Sequence, residues 1–182
     1  PAGAVLDGRP GAKSEVYSVD HLHGMEPLFS DIYAAANQQG IPAETVISEY
    51  APGQYELTLH YREDVLRAAD DLVMLKRLVR AQARRHGVMA KPIEKYAGSG
   101  MHFHVSMRDG AGVNVFSEAD GAAWAPALLH AIGGLAATMA ESMLVFAPHA
   151  NSWRRFVSQS YAPLAPIWGV NNRSVALRVP AG

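Results

Sequence analysis

Residues Gly98–Met107 read GSGMHFHVSM, and from Met101 onward their side chains alternate between apolar and polar. Successive side chains of a β-strand point to opposite faces, so the alternation predicts a strand over 101–107. The apolar face, which we expect to lie in the core, carries Met101, Phe103, Val105 and Met107. The other face carries His102, His104 and Ser106, which suit either solvent or contacts to a metal and an anionic ligand.

The composition indicates one ordinary globular domain. The chain has 182 residues, of which 49% are hydrophobic and 18% charged. Lys and Arg number 16 against 17 Asp and Glu, so charge gives no basis for binding nucleic acid or an anionic membrane. The absence of cysteine suits a reducing compartment, and we expect a cytoplasmic protein. The longest apolar stretch, 122–148, contains His130 and Glu141 and predicts a buried helix, not a membrane span.

Apolar spacing and turn residues predict the remaining elements. Helices are expected over 26–39, 62–86 and 126–146, with Gly40 and Gly87 ending the first two. Strands are expected over 15–18, 46–50, 54–61 and 175–179, and the middle two form a hairpin at Pro52-Gly53. Helices and hairpins alternate without βαβ spacing, which predicts an α+β fold with an antiparallel sheet.

The hairpin SEYAPGQYEL, residues 48–57, contains two glutamates that could bind a metal. If Pro52 and Gly53 are the whole loop, Glu49 lies directly opposite Glu56, and a cation between them would offset the repulsion. With a three-residue loop the two carboxylates would point to opposite faces. Carboxylate ligands with one histidine favour Mg²⁺ or Mn²⁺ over zinc.

The last third of the chain contains spaced arginines, in the pair Arg154-Arg155 and at Arg173 and Arg178. Guanidinium groups beside a carboxylate-ligated metal bind phosphate or carboxylate in two-pronged contacts. Taken alone, each arginine is better explained as a solvent-exposed surface residue.

Taken in order, EYAPGQYE (49–56), a long helix, GSGMHFH (98–104), NSWRRF (151–156) and NNRSVALRVP (171–180) resemble the catalytic domain of glutamine synthetase. The resemblance runs from about Tyr17 to the end of the chain. It implies a curved antiparallel sheet that lines the active site, with helices flanking it. In this family ATP phosphorylates the γ-carboxylate of glutamate, and an amine then displaces the phosphate.

The resemblance assigns the site residues position by position. Glu49 and Glu56 match ligands of the first divalent metal, and His102 matches a ligand of the second. The implied cofactors are therefore two or more Mg²⁺ or Mn²⁺ ions, with ATP as a substrate. The positions implied at the ATP site and its phosphates are His104, Ser106, Arg178 and Tyr61. The positions implied at glutamate are Gly98, Arg155 and Arg173, and both arginines are also implied as catalytic because they clamp the transferring phosphoryl group.

Two positions depart from the pattern of glutamine-forming members. Ala97 stands before GSG where those members have asparagine, and SQSYAP (158–163) has Tyr161 where they have a loop glutamate. A phenol is neutral near pH 7 and cannot hold ammonium by charge, although it can stack on a bulkier amine. Tyr161 is therefore the amine-site candidate, and we expect an organic amine as acceptor, as in the γ-glutamyl-polyamine synthetase branch. The alternatives are an ammonia-using glutamine synthetase and a catalytically silent structural or regulatory relative.

The family pattern also bears on what surrounds this chain. We expect residues 1–182 to be part of a single catalytic domain, with an N-terminal β-grasp-type domain and a C-terminal remainder absent from it. The isolated piece is predicted to be inactive. The whole protein is expected to form a ring-shaped homo-oligomer whose other partners are the small molecules glutamate, ATP and amine.

Overall fold

The computed structural model describes residues 16–51, 53–90, 102–117, 124–158 and 162–180. The chain divides into two compact units, Pro1–Ser99 and Gly100–Gly182. Both units combine helices with short strands, so the α+β class predicted from the sequence is confirmed.

The first unit places a hairpin between its helices. Its elements are α1 (Val19–His23), α2 (Glu26–Gln38), β1 (Ala43–Ser48), β2 (Tyr55–Leu59) and α3 (Val65–Arg85). Both predicted helices and the predicted hairpin are confirmed. The short strand predicted over 15–18 is wrong for its described residues: Tyr17 has a φ of 61°, and the Ser18 hydroxyl accepts a 3.5 Å hydrogen bond from the His21 N–H to cap α1.

Gly40 and Gly87 end α2 and α3, as predicted, with φ of 65° and 71°. The residue after each glycine donates its N–H back into the helix, Ile41 to the Ala36 carbonyl and Val88 to the Ala83 carbonyl, both at 2.9 Å. This is the Schellman ending, which a left-handed glycine permits and which satisfies carbonyls that the helix leaves open. The reversal after α2 also turns Ile41 into the core.

The core of the first unit lies between α2, α3 and one face of the hairpin. Its buried residues are Leu28, Ile32, Ala36, Ile41, Leu75 and Leu78. Tyr55 of β2 contacts Phe29 of α2 edge to face, with ring centroids 5.0 Å apart, and its hydroxyl donates to the His21 carbonyl at 3.2 Å. Because side chains alternate along a strand, the opposite hairpin face points away from these helices.

The second unit contains short elements. They are α4 (Pro126–Thr138), α5 (Met143–Phe146), a 3₁₀ helix (Ala150–Arg155), β3 (Trp168–Val170) and β4 (Leu177–Val179). Trp124 and Trp168 meet edge to face with ring centroids 5.1 Å apart. The predicted strand over 175–179 is confirmed as β4 in its last three residues.

The single helix predicted over 126–146 is interrupted after Thr138. The Thr138 hydroxyl donates to the Gly134 carbonyl and the Ser142 hydroxyl donates to the Thr138 carbonyl, each at 2.9 Å. Such side-chain bonds compete with the backbone ladder, and adjacent glycines 133 and 134 lower the helix preference further. The expectation of a buried helix is also wrong, since Ile132 is the one buried side chain of α4.

The described strands form two two-stranded sheets. β1 and β2 are antiparallel, as predicted, whereas β3 and β4 run parallel, with Gly169 opposite Arg178. The antiparallel expectation is therefore wrong for the second pair. Directly after β3, Asn171 has a φ of 49° and donates its N–H to the Val179 carbonyl at 2.9 Å, which extends the contact between the two chain segments. The curved sheet implied by the resemblance stays a prediction.

Residues 102–107 do not form the predicted strand, and within the described chain no strand pairs with them. Phe103 and Val105 are 67% and 72% exposed, so the expected core face is wrong. Alternation defines two faces, but burial also requires a neighbouring element to cover one of them. A turn forms at Asp109-Gly110, where the Asp109 carboxylate accepts from the N–H groups of Ala111 and Val113, both at 2.9 Å.

None of the helices in the described residues is both long and apolar enough to cross a bilayer.

Candidate active site

The register of the hairpin decides where its glutamates point. Ile47 lies across from Glu56, and two pairs further along the Glu49 N–H donates to the Gln54 carbonyl at 2.8 Å. The expectation that Glu49 lies directly opposite Glu56 is therefore wrong. Glu49 and Glu56 are diagonal neighbours, and strand alternation puts both on the same face, about 7–8 Å apart at the strand backbone.

The turn explains this register. The Gln54 N–H donates to the Ala51 carbonyl at 2.9 Å, and Gly53 has a φ of 70°. A positive φ at the third position of a β-turn favours glycine. A two-residue loop would pair Ala51 with Gln54 across the strands, whereas the strand partner of Gln54 is Glu49, so the pairing is displaced by two residues along the first strand.

Both glutamates are half-buried and lie on the face opposite Tyr55. The Glu49 carboxylate accepts a 3.1 Å hydrogen bond from the Tyr50 N–H, which leaves lone pairs for a further partner. Two carboxylates on one face suit a hard divalent cation. No group of three His, Cys, Asp or Glu side chains that could hold a metal occurs among the described residues, so the donor set fits in part.

The strand that carries Glu56 is fixed at its far end by a buried ion cluster that sequence reasoning did not find. Arg62 Nε lies 2.8 Å from one Asp71 carboxylate oxygen, and Arg67 Nε lies 3.2 Å from the other. Asp71 is 2% exposed. The sequence contains one feature that could have predicted this cluster: Asp71 lies on the apolar stripe of a helix, where a buried charge requires partners. Tyr61, expected at the ATP site, is exposed and directly precedes Arg62.

The predicted nucleotide and second-metal residues lie within 102–107, outside the strands that the structure describes. His102, His104 and Ser106 are all exposed. They therefore share one short extended stretch, without the strand that was expected to align them. Gly98, Ala97 and Tyr161 lie outside the described residues.

The three predicted arginines all belong to the second unit. Arg155 is the last residue of the 3₁₀ helix and is half-buried. Arg173 is exposed in the turn between β3 and β4, where the Asn172 side-chain oxygen accepts from the Ser174 N–H at 2.9 Å. Arg178 is exposed on β4, between half-buried Leu177 and Val179. The three cationic groups thus belong to a helix end, a turn and a strand of one unit.

Comparison with known proteins identifies the family. Residues 3–182 match the glutamine synthetase catalytic domain, and the chain belongs to that family. Over its whole length it is 45% identical to γ-glutamylputrescine synthetase PuuA of Escherichia coli K12, of which it covers 39%. Over 89% of its length it is 33% identical to glutamate–isopropylamine ligase of a Pseudomonas species, of which it covers 36%.

The fold is also similar to that of a solved structure. The structure of GmaS without ligand matches 91% of this chain with a TM-score of 0.78 and 28% sequence identity, and the match covers 39% of that chain. This chain thus spans well under half the length of the relatives it matches.

Proposed function

We propose that this chain is part of an ATP-dependent ligase that joins the γ-carboxylate of glutamate to an organic amine. The observation that carries the proposal is the hairpin register, which leaves Glu49 and Glu56 on one face at the two positions expected to bind metal. The relatives named for putrescine and isopropylamine support an amine larger than ammonia.

The hairpin carboxylates are the proposed ligands of a first Mg²⁺ or Mn²⁺, and His102 is the proposed ligand of a second. Bound divalent metal would neutralise charge on the phosphates of ATP. The chain's own contribution is to hold Glu56 rigidly: Tyr55 anchors one end of β2 to the helices, and Arg62 anchors the other through Asp71. A fixed ligand position lowers the entropy lost when the substrates are aligned.

The arginines are proposed to act on the anionic groups of the reaction. Arg155 and Arg173 would hold glutamate and the phosphoryl group in transfer, with Gly98 near glutamate. Arg178, His104, Ser106 and Tyr61 would contact ATP or its phosphates. A γ-carboxylate oxygen of glutamate attacks the terminal phosphorus of ATP and releases ADP. Guanidinium groups stabilise the negative charge shared among the transferring oxygens.

The second step joins the amine. The nitrogen lone pair of the neutral amine attacks the γ-carbonyl carbon, the bond to the phosphate oxygen breaks, and the nitrogen loses a proton to water. Tyr161 is the proposed amine-site residue, since its ring can stack on an organic amine or its alkyl chain. A tyrosine at this position in place of a glutamate removes a negative charge that would favour ammonium.

We further propose that residues 1–182 form part of a single catalytic domain that works together with an N-terminal β-grasp-type domain and a C-terminal remainder, in a ring-shaped homo-oligomer. The 182 residues alone would then be inactive and bind metal weakly. If calorimetry showed micromolar binding of Mg²⁺ or Mn²⁺ at two sites of this chain, the proposal that residues outside it are needed for the metal sites would be contradicted.

The deciding experiment measures ADP release by the full-length protein with glutamate, ATP and a panel of amines. The panel contains ammonium, putrescine, spermidine, ethanolamine and simple alkylamines. We expect kcat/KM for the best organic amine to exceed that for ammonium by about tenfold or more, a difference of ~1.4 kcal/mol at the transition state. A preference for ammonium would favour a glutamine synthetase, and no turnover with any amine would favour a silent relative.

Two variants sharpen this test. Tyr161→Glu restores the charge found in glutamine-forming members and should raise the ratio of ammonium to organic-amine activity. Tyr161→Phe keeps the ring and should keep the preference. Equal amine preferences in both variants would remove Tyr161 from the amine site while leaving the ligase activity itself intact.

A further inference from the structure

An open cleft lies in the second unit, between the residues that follow the 3₁₀ helix and the turn that joins β3 to β4. Its volume is ≈ 650 Å³, and the described residues that line it are Val157, Ser158, Ala162, Leu164, Ala165, Ile167 and Ser174. This volume lies within the range of small-molecule sites. Leu164 and Ile167 are 61% and 54% exposed, so the cleft is open to solvent along this side.

The cleft adjoins both arginines that we assign to glutamate. The Val157 N–H donates to the Arg155 carbonyl at 2.8 Å, which turns the chain directly from that arginine into the lining. At the other side, Ser174 follows Arg173 and is held by its own bonds to the Asn172 side-chain oxygen, at 2.9 Å from N and 2.6 Å from Oγ. Ile167 is fastened to β4 because its carbonyl accepts from the Leu177 N–H at 3.2 Å.

The lining chemistry selects against a charged ligand group. Among the lining residues that the structure describes, five side chains are apolar, two are hydroxyls and none is ionisable. A charged group that entered would lose water without gaining a counter-charge, whereas methylene groups would gain by leaving water. The cleft is therefore suited to the uncharged carbon chain of a ligand.

We propose that this cleft binds the alkyl chain of the acceptor amine and thereby selects amines by chain length. The proposal rests on the ligase function proposed above. The reacting nitrogen would lie at the arginine end, where the γ-carboxylate of glutamate is held, and the carbon chain would extend along Leu164 and Ile167. The far end of the chain reaches the solvent-open side, so a second amino group there would stay hydrated. The acceptor class is a primary amine with an alkyl chain.

A homologous amine series tests chain-length selection in the full-length protein. We expect kcat/KM to rise about threefold with each methylene from ethylamine to butylamine, as partly buried CH₂ groups contribute. Pentylamine and putrescine have the same number of heavy atoms and differ in a terminal methyl or ammonium group. Their kcat/KM values should agree within about threefold, because that terminus reaches water.

Variants of the lining separate this proposal from the general ligase function. Leu164→Ser and Ile167→Ser remove apolar lining at exposed positions, where folding is least affected. Each should flatten the dependence of kcat/KM on chain length. Leu144→Ser is the matched control, because Leu144 is 79% exposed in α5 and does not line the cleft. It should leave the dependence unchanged.

Each outcome is decisive. If organic amines react but chain length has no effect, or if both lining variants keep the full dependence, the cleft does not bind the chain and the ligase proposal stands. A putrescine preference of tenfold or more over pentylamine would also overturn it, since a carboxylate would then have to face the far end. If no organic amine reacts, the ligase proposal and this one fall together.

Discussion

Arg62 donates from Nε to an Asp71 carboxylate oxygen at 2.8 Å and from Nη2 to the Gly40 carbonyl at 2.7 Å. One guanidinium group thereby joins the end of β2 to α3 and to the residue that ends α2. Asp71 completes the cluster through Arg67, one helical turn earlier on α3. The strand that carries Glu56 therefore cannot shift without breaking charge-assisted bonds to both long helices of its unit.

Asp71→Asn should lower the free energy of unfolding by about 2–3 kcal/mol, because two guanidinium groups lose their shared carboxylate while remaining partly accessible to water. Urea denaturation followed by circular dichroism measures the loss. Asp70→Asn is the matched control, since Asp70 is the exposed neighbour on the same helix, and it should change stability by less than about 0.5 kcal/mol. Equal effects of the two substitutions would show that the cluster does not stabilise the fold.

Glu56→Gln should raise the Mg²⁺ concentration for half-maximal ligase activity by about tenfold or more, because an amide oxygen is a weaker ligand than a carboxylate for a hard cation. Glu44→Gln is the control from the same hairpin, where the Glu44 carboxylate is exposed and lies 3.4 Å from His60 Nδ1. The control should keep the wild-type metal dependence. An unchanged Mg²⁺ titration for Glu56→Gln would remove this side chain from the metal site.

Gly169→Ala should weaken glutamate binding. A Cβ at position 169 would lie 3.3 Å from the Asn172 Cβ, so the turn that presents Arg173 would have to give way. We expect the KM for glutamate to rise several-fold, roughly the effect of ~1 kcal/mol. Gly133→Ala is the control, as a Cβ there meets nothing within 4 Å in α4, and this change should stabilise the helix by about 0.5–1 kcal/mol. An unaltered KM in Gly169→Ala would mean that the turn adapts without moving Arg173.

Tyr33 predicts a loss of stability at alkaline pH. Burial raises the pKa of the Tyr33 phenol above its ordinary value of 10.0, and a backbone hydrogen bond from Val46 offsets part of this. The unfolded phenol therefore ionises first, so its contribution is complete below pH 10 and is lost as the pH rises through the folded pKa. Denaturation of wild type and Tyr33→Phe at pH ~9 to ~11.5 should show wild type losing stability more steeply. Parallel pH profiles would contradict the burial effect.

Much of the first unit could be predicted from local sequence because its signals are local. The apolar stripe of α3 and the glycines at 40 and 87 define helix faces and ends through contacts three to five residues apart. The break after Thr138 was missed because it arises from hydroxyl bonds to carbonyls, which do not alter the apolar pattern. The parallel pairing of β3 with β4 depends on the path of residues 171–176 between them, which no periodicity reveals.

The candidate site was harder to predict because it depends on the register of the hairpin strands and on which elements pack over residues 102–107. Alternation correctly separates Glu56 from Tyr55, but it does not choose which residue lies opposite, and the pairing of Glu49 with Gln54 beside the turn decides that. Alternation likewise divides residues 102–107 into two faces, yet whether Phe103 is buried depends on elements distant in sequence. Asp71 could have been found, since a charged residue on a buried helical stripe requires a partner.

The alternation of Tyr55 and Glu56 limits how this hairpin can vary in length. Inserting or deleting a single residue within β2 would turn Tyr55 outward and direct Glu56 toward Phe29, so the anchor and the proposed ligand would exchange faces. Two-residue changes would preserve the faces but displace the carboxylate along the strand. We therefore expect the hairpin to tolerate single substitutions, but not single-residue insertions or deletions between the turn and Arg62.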